Sequence, residues 1–232
     1  MMNTSDYLPQ AALARTSLYR KQQGIKDAEF MPCGEGAVVS RFRSDDSTKN
    51  PFASCALTDL TPLARTGFRG QNAAAHLSSA GFSIPEKPNQ LSTGPQGELV
   101  LRLSLREFWV LGGLADQGQS ISALNAAARP DSACYSLFCR DSHGWLLLSG
   151  EHCAAVMAKL CGVDLRSSAF PSGSIAQTSV ARINAIIASH EVNGVPAFSL
   201  LCDIGYLPYL WDVLLDAMDE FGGKAAGYAD LL

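Results

Sequence analysis

Four histidines, His76, His143, His152 and His190, are the residues of this 232-residue chain best suited to proton transfer or metal ligation. No two share the i, i+4 spacing that sets two imidazoles on one helix face. The nearest approach to a ligand cluster is His152-Cys153 with Cys161. Successive helical residues point about 100° apart, so His152 and Cys153 do not face one ion, and no C-x-x-C pair supplies the rest of a zinc set. Asp141 and His143 read either as an acid–base pair or as Asp-Ser-His-Gly turn chemistry between two strands. Ser149-Gly150 stands before a helical pattern, where it either offers free amides to an anion or caps the helix. Asp203 orients a polar ligand at a strand end or begins the loop to the last helix. Arg65, Arg69 and Arg182 are cations among apolar residues, a setting in which arginine pairs with a carboxylate or across an interface. Walker, G-x-G-x-x-G and G-x-S-x-G signatures are missing. These residues therefore define no catalytic set, no metal ligands and no cofactor cradle.

The elements that must carry these residues alternate between strand and helix patterns. Strands are expected at 57–60 and 66–70, followed by a helix that Gly70 opens and Gly81 stops, with Ala73, Ala74 and Leu77 on one face. Two branched and aromatic strands follow at 98–104 and 107–113, then a helix from Ser120 to Ala128 ended at Pro130. A second unit starts with a strand at 134–140, its partner expected at 144–148, and Gly150 again opens a helix that stops at Gly162. Residues 70–77 mirror 150–157, so the unit is repeated. Strands at 174–179, 181–188 and 195–202 follow, the last two joined by a tight Asn193-Gly194 hairpin. The final helix, 207–221, carries Leu210, Trp211, Leu214, Leu215 and Met218 on one stripe. Hairpins with packed helices imply an α+β protein with antiparallel sheets, close to a split β-α-β topology. The division expected is an N-terminal extension over 1–50, a first lobe over 51–131 and a second over 132–232. The extension lacks a sustained period and reads as a mobile arm or as one that orders on a partner.

Composition narrows the function classes. A hydrophobic share of 47% with 17% charged residues suits a folded domain. The net charge of -4 offers nothing to neutralise phosphates, which disfavours nucleic acid and anionic membranes. No apolar run has the length of a bilayer span. The first residues lack the pattern of a secretory signal, and seven cysteines without regular spacing fit reduced thiols, so a cytoplasmic location is expected.

Several segments, in order, resemble one family: 57–70 (Leu-Thr-Asp-Leu-Thr-Pro-Leu-Ala-Arg-Thr-Gly-Phe-Arg-Gly), 141–150, 161–166 with Ala169-Phe170-Pro171, 176–182, and the ending from Tyr209-Leu210-Trp211-Asp212 to Gly223. Together they look like the gamma subunit of heterotetrameric sarcosine oxidase, within the folate-binding aminomethyltransferase-like group, over about residues 55–223. The resemblance implies an aminomethyltransferase-like fold of two α/β lobes. It also implies a non-catalytic subunit in a complex that oxidatively demethylates an N-methyl amine. FAD, FMN and NAD are then expected on larger alpha and beta subunits, zinc on a small delta subunit, and tetrahydrofolate on the alpha subunit. A free-standing tetrahydrofolate-dependent aminomethyltransferase, or a folate-binding module, is the alternative it leaves open. It assigns no folate-contacting residue to a position here, and the extension falls outside it.

Overall fold

The computed structural model describes residues 8–25, 27–42, 54–116, 118–127 and 133–232. A 3-10 turn at Pro9–Ala11 and a short helix, α1 (Tyr19–Gln23), lead into a hairpin of β1 (Ala28–Cys33) and β2 (Gly36–Phe42). The next elements are β3 (Ala56–Asp59), β4 (Arg65–Arg69), α2 (Ala73–Ser79), β5 (Gln90–Thr93), β6 (Leu99–Arg102), β7 (Glu107–Leu111) and α3 (Gln119–Ala127). Then come β8 (Tyr135–Leu137), the one-turn helix α4 (Cys139–Ser142), β9 (His143–Ser149), α5 (Cys153–Ala158), β10 (Ile175–Val180), β11 (Ile183–Val192) and β12 (Val195–Asp203). Helix α6 (Leu207–Asp219), β13 (Lys224–Ala225) and a 3-10 turn at Tyr228–Leu231 complete the chain.

Five strands, in the order β5-β6-β7-β4-β8, form one sheet and six, β10-β11-β12-β9-β3-β13, form the other. Every pairing within them is antiparallel except β13 on β3. The repeat seen in the sequence is a repeat of this motif, with β4 and β9 as interior strands and α2 and α5 after them. In each copy a glycine leaves that strand at positive φ, 139° for Gly70 and 122° for Gly150. A Cβ there would sit 2.1 Å from the Ala133 carbonyl and 2.3 Å from that of Ser54 respectively. The same two carbonyls accept the amides of Asn72 (3.0 Å) and His152 (3.0 Å). Only glycine fits this conformation and close approach.

The copies exchange their first strands. β3 precedes β4 but pairs with β9, and β8 precedes β9 but pairs with β4. The expected hairpin between 134–140 and 144–148 is thereby corrected. Asp141 and Ser142 belong to α4, and this helical turn carries the chain from one sheet to the other, so the two strands separate. The sheets accordingly do not divide at residue 131.

Alternation along the strands shows how the layers stack. Trp145 and Leu147 of β9 join Leu99, Leu101, Trp109 and Leu111 in a core between the sheets. Leu146 and Leu148 face the other way, onto α5 and α6 with Leu210, Trp211 and Leu214. On the far side of the five-stranded sheet, Phe68, Val100, Phe108 and Val110 pack on Leu77 of α2 and Ile121 and Leu124 of α3. Strands buried on both faces read as continuous apolar runs. At the open edges, β5 and β10 are stitched by Leu91 N to Gly173 O (2.8 Å) and Ile175 N to Asn89 O (2.9 Å), which protects both edges from adventitious pairing.

The described part of the extension takes more part in the core than its composition implied. Leu18 packs in the α5–α6 layer and Val38 of β2 in the layer between the sheets. Gln22 Nε2 donates to Asp59 Oδ2 at 2.9 Å, and Asp59 Oδ1 accepts the amide of Thr61 at 2.9 Å. Burial pushes the Asp59 carboxyl up. Lys21 Nζ reaches Asp212 of α6 at 2.5 Å. Residues 1–7 and 43–53, and the stop of α3 expected at Pro130, lie outside the described residues.

Both crossing connections converge on Arg65, which is 3% exposed. Its Nη1 donates to Thr61 O (2.8 Å) and Leu63 O (3.2 Å) of the first connection. Nη2 donates to Arg140 O (2.8 Å) and His143 O, and Nε to Cys139 O (3.4 Å), all in the second. Burial pulls the guanidinium down to about 10, so it stays charged at neutral pH. Arg65→Met should therefore destabilise the protein by about 4 kcal/mol, since it leaves buried carbonyls without donors, and Arg65→Lys should recover little because an ammonium lacks the fork. Urea denaturation measures both, and a loss below about 1 kcal/mol for the methionine variant contradicts the clamp.

Candidate functional site

A cavity of about 500 Å³ opens at one end of the layer between the sheets. Leu91 and Leu99 of β5–β6 form one wall and Trp145 and Leu147 of β9 the other. His190, Glu191 and Asn193 arrive from the tip of the β11–β12 hairpin. The size and the apolar walls with a few polar groups are those of a small-molecule site.

The polar groups are tied together by the sheet register. Ser199 pairs with Leu147 and His190 with Ala197, so Trp145, Ser199 and His190 stand diagonally on one face of three adjacent strands. Trp145 Nε1 lies 3.0 Å from Ser199 Oγ, and Ser199 Oγ lies 2.9 Å from His190 Nε2. The Glu191 carbonyl only accepts, so Nδ1 of His190, 3.4 Å from it, carries the imidazole proton. Nε2 is then the acceptor, and the Ser199 hydroxyl donates to it while accepting from the indole N–H of Trp145. Burial pulls His190 down to about 4, against the smaller pull of that carbonyl. Ser199 is 0% exposed, so this serine–histidine contact presents no nucleophile. It locks an uncharged ring into the cavity wall. Neither the spacing of nine residues between His190 and Ser199 nor that of 54 between Trp145 and Ser199 forms a sequence motif. The available signal was a serine and a histidine inside strands rich in apolar residues.

The residues singled out in the sequence do not gather here, apart from His190. His143 Nδ1 meets Ser142 Oγ at 2.9 Å rather than Asp141, and its ring stands edge-on to Trp109 at 4.7 Å. Burial pulls His143 down, opposed in part by the Asp203 charge. Asp203 caps the turn before α6 by accepting from Gly205 N at 2.8 Å. His152 packs on Phe221 at 5.1 Å. Cys153 and Cys202 are buried core thiols, both pushed up by burial. No group of three metal-ligating side chains occurs among the described residues. Ser149 Oγ is buried without a hydrogen-bond partner and α5 spans only six residues, so neither the cap nor the anion site is formed. Arg69 lies 3.9 Å from Glu107, and Arg182 is exposed.

Two outcomes follow for measurement. A folded-state histidine pulled below its unfolded value contributes stability that is fully present above about pH 6.5 and is lost as pH falls toward 4. His190→Gln should flatten urea stability across that window relative to the parent, and nitrogen NMR of the parent should show the Nδ1–H tautomer at pH 6. A ring titrating near 6.5 contradicts the lock. Ser149→Ala should leave stability unchanged or raise it by about 1 kcal/mol, since it removes a buried hydroxyl that bonds nothing.

Comparisons with known proteins agree with this architecture. Comparison with curated proteins finds no match. A chain of the heterotetrameric sarcosine oxidase from Corynebacterium sp. U-96, in complex with pyrrole 2-carboxylate, superposes with a TM-score of 0.65 at 21% identity. The match covers 91% of this chain and 97% of that one. The glycine cleavage system aminomethyltransferase T from Bartonella henselae superposes with a TM-score of 0.70 at 16% identity, over 95% of this chain and 61% of that one. This chain thus spans about three fifths of that aminomethyltransferase. At such identities the likeness is one of fold, which is aminomethyltransferase-like. Residues 96–231, more than half of the chain, match the GCVT N-terminal domain, and the chain belongs to that family.

Proposed function

We propose that this chain is a non-catalytic, gamma-type subunit of a sarcosine-oxidase-like complex. That complex would oxidatively demethylate sarcosine or a related N-methyl amine and pass the one-carbon unit to tetrahydrofolate. The observation that carries the reading is the superposition on a chain of such an oxidase over 91% of this chain and 97% of that one. The cavity supports it chemically. Both nitrogens of His190 have partners within the protein, and among the described residues Glu191 is the one charged group lining the space. An uncharged flat ring suits these walls, but the described lining has no cation for a carboxylate-bearing tail, so it does not fit a whole folate. In this reading FAD, FMN and NAD would sit on larger alpha and beta partners, zinc on a small delta partner and tetrahydrofolate on the alpha partner. Buried thiols raised above their ordinary range suit the reducing cytoplasm.

The family match and the cavity favour one other reading, a free-standing folate-dependent aminomethyltransferase or a folate-binding module. Two measurements separate them. Co-expressed with flavin-bearing partners, the chain should co-elute with flavin absorbance, and alone it should give no heat with tetrahydrofolate in calorimetry. Tight folate binding by the isolated chain, with no association, replaces the first reading by the second.

A further inference from the structure

The walls of the cavity are fastened to each other in two different ways. Leu91 of β5 and Leu114, beyond β7, come from the five-stranded sheet, while Gly173, before β10, and Asn193, between β11 and β12, come from the six-stranded one. Along one side the sheets are sewn by a seam. Leu91 N donates to Gly173 O and Ile175 N to Asn89 O, Gln90 bridges to Ser174, and Gln177 Nε2 donates to Asn89 Oδ1 at 2.8 Å and to Leu103 O at 2.6 Å.

The other fastening is the last turn of the chain. The Tyr228 hydroxyl donates to Leu114 O, and Asn193 Nδ2 donates to Leu231 O at 2.9 Å. Each bond ends on a residue that lines the cavity, one from each sheet. Tyr228 and Leu231 are both 3% exposed and pack with Val38 in the core between the sheets. Burial pushes the Tyr228 hydroxyl up to about 12, so it keeps the proton it donates. The root of the turn is fixed: β13 lies on β3, Ala226 N donates to Leu57 O at 2.9 Å, and a Cβ on Gly227 would sit 2.1 Å from Ser40 O. Beyond Gly227 the hold is lighter. Gly227 N donates to Asp230 Oδ2 within the turn itself, and the link to β2 is Arg41 Nε, 3.5 Å from Asp230 on an exposed side chain, a kind of ion pair that contributes little. Chain ends with few ties are the first parts of a fold to open locally. The seam is the hinge side, and the terminal turn is the side that gives way.

We infer that residues 228–232 are a gate: they tie the two sheets together beside the cavity, and their release lets an uncharged planar molecule enter and leave. The gate needs only the cavity and its fastenings, whether or not the chain works as a subunit. A latch that closes over the empty and the filled cavity alike slows entry and exit by one factor and leaves affinity as it was.

The test uses the full chain with Nile red, an uncharged planar dye that brightens in apolar surroundings, followed by stopped-flow fluorescence. Tyr228→Phe removes one tie, and Asn193→Gly removes the other with a residue that accepts the positive φ of its turn. Each should raise the on-rate and the off-rate about tenfold at unchanged Kd, and the two together about a hundredfold. Leu91→Trp fills the cavity and should cut dye binding in the parent and in Tyr228→Phe. Hydrogen exchange tests the parent without substitution: the Asp230 amide should exchange by local opening, and those of Leu91 and Ile175 only on global unfolding. Parental rates in both single variants overturn the gate. A weaker Kd at an unchanged on-rate also overturns it, because the turn is then a piece of the wall. Dye binding that survives Leu91→Trp, no dye binding by parent or variants, or an Asp230 amide as slow as that of Ile175 overturns it as well.

Discussion

One buried guanidinium reconciles the two halves of this protein. Exchange of the first strands obliges two connections to cross between the sheets, and both bring carbonyls into a dry layer. Arginine is the side chain with five donors in a rigid fork, and Arg65 spends them on Thr61, Leu63, Cys139, Arg140 and His143. The positions of β3 on β9 and of β8 on β4 both follow from how these connections are held. The cavity depends on the same arrangement, since Leu60 from the first connection and Trp145 beyond the second both line it.

Much of the local structure was legible because it is encoded locally. Alternation and helical periodicity placed β6, β7, β9, β12 and α6, the Asn193-Gly194 pair announced its hairpin, and the glycines at 70 and 150 revealed the repeat. The exchange was not legible, because strand pairing is settled by contacts far apart in the chain. A strand at 134–140 next to one at 144–148 looks like a hairpin until α4 is seen to turn the chain away. β13, two residues long, and β5, with little burial, carry too weak a pattern to read. The hydrophobic partners of Leu18 and Val38 in the N-terminal segment are likewise remote in sequence.

The same contrast governs the candidate site. His190 was visible as a residue type, but its chemistry was not, since that is decided by Ser199 and Trp145 on neighbouring strands. With both nitrogens engaged the ring is a shaped wall rather than a proton donor. Folds of this kind host different activities through such local choices of side chain, and here the choices favour holding a surface in place. Arg65 and Arg182 make the point from the other side. Alike in composition, they diverge because one lies beneath the crossing connections and the other at a hairpin tip.

The exchanged strands also set an order in time. β3 leaves the ribosome about 90 residues before β9, the strand on which it must lie, so it waits unpaired while the whole first sheet is made. That sheet, in turn, lacks its own edge strand until β8 arrives. Long-range pairing of this sort slows folding and leaves strand edges open to other chains. A chain of this topology therefore carries open strand edges for as long as the intervening residues take to be made.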